Sequence, residues 1–354
     1  MSKNINLSEF EYKFINHKYP LTQVIENFTK AGEIHKEVKS DLLKGNLLKE
    51  GIKYIDIADG IEKLILEKTE TKMDNLEKGV GFPIGLSINE CAAHWTPNPG
   101  ENRVLKKEDL VKIDYGVQIN GCIVDSAFTF SLHDKYNELI GISKSATELV
   151  IKNCGVGQNL GDLGTIVEEF IESTEIELDG KIVNLKSVKD LTGHKINPWL
   201  IHGEKSIPNF SCNYPVRMEE NEFYAVETFV STGTGRTTDG MECSHYMVDT
   251  ERVLYDIRNQ DNPETNYRPI KMDSRENFLY KYILGFRETL PFCKKWLRRQ
   301  NLNKYQIPLK TLVNKGKIKE YPPLNDIKGS YVSQHEHTIM IREKDKGGNI
   351  IFSK

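Results

Sequence analysis

Two runs with strand composition, 110–119 and 122–130, are separated by Asn120 and Gly121 alone. That pair favours a tight type I′ turn, because both residues tolerate positive φ. A two-residue loop fixes the register: Ile119 faces Cys122, Asp114 faces Ala127, and Gly116 faces Asp125. Directly opposed residues share a face of the sheet, and so do residues two apart on one strand. Asp114 and Asp125 therefore emerge on one face as diagonal neighbours, about 7–8 Å apart at the backbone. Ile113, Tyr115 and Val117 point the other way. Two carboxylates this close repel unless a cation or a proton lies between them. Asp is also a poor strand former, so two of them with apolar flanks suggest a purpose other than solubility. Taken alone, the same pattern also fits a hairpin with two acids facing water.

The chain has 354 residues, enough for one large domain or two ordinary ones. Its net charge of −3 gives no general nucleic-acid surface. The basic run Lys294–Arg299 reads as the solvated side of a helix. Six cysteines are scattered without CxxC spacing, which is neither a disulfide framework nor a zinc-finger pattern and fits a reducing compartment. The first residues lack an apolar signal region, and no window approaches about 18 uninterrupted apolar residues. A cytoplasmic chain without a membrane partner is the expectation.

Apolar residues recur at helical spacing over 21–43 (Ile25, Phe28, Ala31, His35, Val38) and over 55–68, 134–153 and 161–173. Residues 80–96 read as extended. A loop-rich stretch is expected from Gly193 and His194 to Pro208. Residues 222–230 read as a strand, with 241–248 as its hairpin partner. Three short helical patterns follow at 274–288, 290–299 and 304–314, and 329–342 returns to strand. The expected class is α+β. Residues 1–249 and 321–354 form the main domain, and 250–320 is a helical insert between two of its strands.

A bridged metal pair needs about five oxygen or nitrogen donors. Asp114 and Asp125 supply two. Glu227 lies inside an otherwise apolar strand, and Glu336 lies mid-strand between His335 and His337. His194 follows a glycine, His202 stands eight residues on, and His94 lies in Cys91-Ala-Ala-His94. Each has a plainer explanation, since a lone strand Glu usually faces water and a lone His among apolar residues is usually a packed one.

Several longer runs carry a resemblance. They are 81–98 (Gly-Phe-Pro-Ile-Gly-Leu-Ser-Ile-Asn-Glu-Cys-Ala-Ala-His-Trp-Thr-Pro-Asn), Lys112-Ile-Asp-Tyr-Gly116, Asp125-Ser-Ala-Phe-Thr129, Gly193-His194, Glu227-Thr-Phe-Val-Ser-Thr-Gly233, 241–247, 321–331 and Glu336-His-Thr-Ile339. Together they resemble the type II methionine aminopeptidases, from about residue 15 to 343. The resemblance implies an α+β pita-bread fold with a small, winged-helix-like helical insert. It implies a dinuclear metallo-aminopeptidase, with two ions drawn from Co, Mn, Fe or Zn, that removes initiator methionine when the second residue is small. Asp114 would chelate one ion, Asp125 and Glu336 would bridge both, and His194 and Glu227 would complete the ligands of the second ion. Glu227 would also relay a proton. His94 and His202 would contact the scissile amide, and Phe82, His245 and Tyr321 would wall the methionine pocket. Nascent amino termini are the implied partners of a monomer. Ribosome contact is put in doubt, because the long charged extension of several relatives is not seen here. His335 stands where an aromatic residue is common. The alternatives are a pita-bread binding protein without catalysis, which would be expected to lose ligands, and an Xaa-Pro aminopeptidase or prolidase sharing the metal set.

Overall fold

A computed structural model describes residues 19–240, 242–259 and 268–354. Residues 1–18, Met241 and 260–267 lie outside the described residues. With them go the start of the 1–249 division, one end of the 241–248 segment and eight residues near the start of 250–320.

The Asp hairpin forms with the expected register. β4 (Leu110–Ile119) pairs with β5 (Cys122–Ser131), setting Ile119 against Cys122, Asp114 against Ala127 and Gly116 against Asp125. Asn120 and Gly121 turn the chain at φ 49° and 77°, the left-handed pair that a type I′ turn requires. Around this hairpin an antiparallel sheet grows from β1 (Lys78–Val80), β2 (Gly85–Ile88), β6 (Thr192–Ile196), β7 (Ser206–Pro208), β8 (Phe223–Ser231) and β12 (Val332–Met340). Its main order is β1-β4-β5-β12-β8-β6-β7, with β2 also on β4. The stretch expected as loop from Gly193 to Pro208 thus contains two strands, held at one edge by β8.

Two helices cover the face of the sheet opposite the acids. α1 (Leu21–Lys44) follows Pro20 and buries Val24, Phe28, Ala31, His35, Val38 and Leu42, one stripe at helical spacing. It lies on β4 and β5, with the His35 ring stacked on Tyr115 at 4.1 Å. α3 (Asn137–Asn153) lies on β8 and β12, where Thr147 meets Thr228 and Ser143 meets Ser333, each at 2.7 Å. Tyr115, Thr228 and Ser333 alternate with Asp114, Glu227, Gln334 and Glu336 along their strands. The acids are left on the uncovered face. α2 (Tyr54–Lys68) and α4 (Leu160–Glu172) flank the core.

A small second sheet corrects the expectation for 241–248. The strand there, β9 (His245–Val248), is not the partner of β8. It pairs with β10 (Phe292–Cys293) on one side and β11 (Ile318–Tyr321) on the other. The partners of β8 come from distant sequence, at β6 and β12. Between β9 and β11 run α5 (Thr250–Asn259), α6 (Ser274–Arg287), α7 (Lys294–Arg299) and α8 (Gln306–Asn314). The helix expected at 290–299 begins only at Lys294, because Phe292 and Cys293 join the sheet. Its basic face is not simply solvated either. Lys295 is buried, 2.7 Å from Glu62, whose other oxygen takes Arg299 at 2.6 Å. Among the described residues no helix is long and apolar enough to cross a membrane.

The middle of the main sheet is joined differently from the rest. Among the described residues, β5 and β12 share a single ladder pairing, His335 with Phe128. Hydroxyl groups bridge the remainder. Thr338 Oγ1 accepts from the Asp125 amide at 2.8 Å and donates to the Asp125 carbonyl at 2.6 Å. Thr129 Oγ1 makes the same two bonds to Gln334, and Ser126 Oγ donates to the Glu336 carbonyl. The seam is therefore wider than a normal ladder directly beneath the acidic face. Thr338→Val leaves the buried amide and carbonyl of Asp125 without those partners. It should lower the unfolding free energy by about 2–4 kcal/mol, measured by denaturant titration. A change below about 0.5 kcal/mol would show that the hydroxyl bridge does not hold the seam.

Candidate metal centre

Strand register assembles the acids. Glu227 and Glu336 are directly paired between β8 and β12, so their side chains leave the same face side by side. The His335–Phe128 pairing carries Glu336 opposite Ala127, and Ala127 in turn faces Asp114. One row across four strands thus reads Asp114, Ala127, Glu336, Glu227. Ala127 is the small member, which leaves room above the sheet centre. Asp125 sits two residues along β5 from Ala127, and His194 pairs with Ala225, two residues from Glu227.

All five expected ligands therefore share one face, though not at equal distances. Donor atoms of Asp125, His194 and Glu336 lie within 4.8 Å of one another. His194 Nε2 is 3.7 Å from Asp125 Oδ2 and 4.0 Å from Glu227 Oε1. Asp114 stands at the far end of the row, and its buried Oδ1 has no hydrogen-bond partner among the described residues. Sequence inspection missed one member, Gln334. It is buried, and its amide donates to Glu227 at 3.1 Å and to Glu336 at 3.4 Å. The available signal was its place two residues before Glu336, which puts both side chains on one face.

Four carboxylates facing one another cannot all stay ionised without compensation. Burial, above all, pushes Asp114 up to about 7, against the opposing Gln334 hydrogen bond. Burial also pushes Asp125, Glu227 and Glu336 well above the usual carboxylate range, reinforced by the charges of their neighbours. Burial pulls His194 down to about 4, so its imidazole is neutral. Its Nδ1 faces the Lys195 carbonyl at 3.4 Å, which favours a proton on that atom and leaves the Nε2 lone pair toward the acids. An orphaned carboxylate oxygen, four acids and a neutral imidazole aimed inward fit divalent cations that take oxygen and nitrogen ligands.

Beside this centre the five expected substrate residues form one connected wall. The His202 ring is 4.6 Å from His194 and 5.6 Å from Tyr321, and Tyr321 is 5.7 Å from His94. His245 lies 6.0 Å beyond His94 and directly opposite Tyr321 in the small sheet. Phe82 and Tyr321 belong to an apolar cluster with Ile123, Trp199, Ile201, Met247 and Leu290. His94 follows the strand β3 (Cys91–Ala93) in a left-handed conformation, φ 65°. That is unusual for a residue with a side chain, and it turns the ring out of the strand path. Burial pulls His94 down to about 3, helped by His245 and His202, and its Nδ1 has no partner among the described residues. Thr96 donates to the Ile84 carbonyl, so its oxygen takes the His245 Nε2–H at 2.9 Å. His202 remains exposed.

The sequence agrees with this geometry. The model of metallopeptidase family M24 matches residues 26–255. The chain is 42% identical over 322 residues to methionine aminopeptidase 2-1 of Fusarium vanettenii, covering 90% of this chain and 69% of that protein. It is 36% identical over 359 residues to methionine aminopeptidase 2 of Schizosaccharomyces pombe, covering 94% and 80%. Among solved structures, a thermophilic Arx1 superposes with a TM-score of 0.74 across 93% of this chain and 90% of that one. At 17% identity that likeness speaks for the fold alone. An acid-lined antiparallel sheet backed by helices, with relatives matched over nine-tenths of its length, places this chain in metallopeptidase family M24, among the type II methionine aminopeptidases.

Proposed function

We propose that this chain removes the initiator methionine from nascent polypeptides whose second residue is small, using a pair of divalent cations held by the acid row. The observation that carries the reading is the junction of that row with an apolar, aromatic pocket at Tyr321. In this reading Asp114, Asp125, His194, Glu227 and Glu336 would hold two ions of the Co, Mn, Fe or Zn type, with Asp125 and Glu336 as the shared carboxylates that the family resemblance implies. Such ions, when bound, lower the pKa of water and polarise a carbonyl.

The chain's own groups supply the rest. A peptide's free, protonated amine is drawn to the acids, so an unblocked amino terminus should be required. Phe82, His245 and Tyr321 take the methionine side chain, whose thioether packs well on aromatic edges. Neutral His94 and His202 offer N–H groups where the amide oxygen gains negative charge. As water adds to the scissile carbonyl and the C–N bond breaks, Glu227 takes the water's proton at its carboxylate and passes it to the leaving amine nitrogen. Residues 1–249 and 321–354 form the catalytic domain in this reading, and 250–320 is an insert that braces the pocket.

Removing a shared carboxylate tests the ligand set. Asp125→Ala or Glu336→Ala should lower turnover of Met-Ala-Ser by orders of magnitude, with loss of at least one ion per chain by elemental analysis. Near-normal turnover at saturating metal would rule out a shared pair.

Substrate preference tests the pocket. Met-Gly, Met-Ala and Met-Ser peptides should be cleaved, and Met-Lys and Met-Phe peptides refused by clash beyond the scissile bond. Efficient release of methionine from Met-Lys would contradict the reading.

A further inference from the structure

Arg287 is one of the largest fully buried side chains of the described residues, at 1% exposure. It closes α6, far in sequence from the acid row and the pocket. Its Nη2 donates to the carbonyls of Val80 at 3.0 Å and Gly81 at 2.8 Å. Its Nε donates to the Pro291 carbonyl at 3.2 Å, and the guanidinium lies 4.8 Å from the Trp296 ring. These hydrogen bonds all end on main-chain carbonyls. Burying a cation is costly, so the partners it is buried against matter. Burial pulls this guanidinium down to about 10, which still leaves it charged at neutral pH.

The two carbonyls it holds immediately precede Phe82. On the other side the same backbone is fixed by the Gly81 amide, which donates to the Gly116 carbonyl at 2.8 Å. Gly116 is glycine because a Cβ there would come within 2.4 Å of the Phe82 ring. The Phe82 ring is thus seated against the Asp hairpin and tied from behind by Arg287. The next residues continue the same contact. Thr289 Oγ1 donates to the Trp199 carbonyl, and Leu290 packs in the cluster with Phe82, Ile201 and Tyr321. Trp199 takes φ 65° and donates its amide to Gly121 at 2.8 Å, three residues before His202. One turn, 287–291, therefore fastens both the Phe82 wall and the segment carrying His202.

We propose that Arg287 is a positioning residue for methionine recognition. By holding the Val80 and Gly81 carbonyls it fixes the Phe82 ring, and through it the shape of the pocket that selects the first residue. It touches no substrate. The proposal rests on the aminopeptidase reading above and adds a determinant of its selectivity.

Two variants, R287M and R287K, test it against wild type. Each is assayed on Met-Ala-Ser, norleucine-Ala-Ser and Leu-Ala-Ser, with metal content measured on the same samples. R287M should keep its metal content and a kcat close to wild type. Its KM for Met-Ala-Ser should rise roughly tenfold or more, as expected when buried carbonyls lose a charged donor. Its preference for methionine over leucine should fall. R287K keeps one charged donor and should fall between the two. A general loss of folding would reduce active enzyme without moving the methionine-to-leucine ratio. An unchanged KM and ratio in R287M would overturn the proposal. If R287M does not fold, wild-type KM and ratio in R287K would overturn it equally. Failure of the wild type to cleave Met-Ala-Ser would instead overturn the aminopeptidase reading.

Discussion

Mutual repulsion among four carboxylates governs this molecule. Asp114, Asp125, Glu227 and Glu336 lie on one face of one sheet, with His194 at their edge. Such a face cannot be packed against helices, and α1 and α3 cover the opposite side. It also cannot be packed tightly within itself. Ala127 at the centre of the row and a seam joined by Thr129, Ser126 and Thr338 hydroxyls provide width. Gln334 places an amide donor between two of the acids. Each of these features has the same physical consequence: it lowers the cost of holding acids together until cations arrive.

The apolar wall follows the opposite logic. His94 and His245 are held neutral by burial, at about 3 and about 4, so they donate and accept without adding charge beside the acid row. Tyr321 is the hinge of the arrangement, within ring contact of both His94 and His202 and opposite His245 in the small sheet. That sheet exists because β9 and β11 pair across the long helical segment between them. The distance in sequence between Phe82, His245 and Tyr321 is therefore closed by two kinds of tie, strand pairing for His245 and Tyr321 and the Arg287 guanidinium behind Phe82.

What the sequence displayed and what it hid divide along the range of the interactions. The Asp hairpin was legible to the residue, because Asn120 and Gly121 fix the register locally. α1 was legible because its buried stripe repeats every three or four residues. The partners of β8 were not, since nothing local distinguishes 241–248 from 332–340 as the next strand. β6 and β7 were hidden because they are short and flank a stretch turned by Trp199 at positive φ. Of the centre, the five residues proposed as ligands were readable as misplaced polar residues, with their roles taken from a family resemblance. Gln334 was marked only by its spacing from Glu336, and Arg287 by nothing local, because glutamine in a strand and arginine near a helix end are ordinary until their partners are known.

Protons, with the Gln334 amide, neutralise the acid row in the absence of divalent cations. Calorimetric metal titration at several pH values, in buffers of differing ionisation enthalpy, measures ions bound and protons released together. With Asp114 at about 7 and the other three acids raised above their usual range, binding should expel protons near neutral pH. Two ions should bind per chain, with an affinity that weakens as pH falls below about 7. Fewer than one ion per chain, or tight binding without proton release between about pH 5.5 and 7, would contradict that expectation.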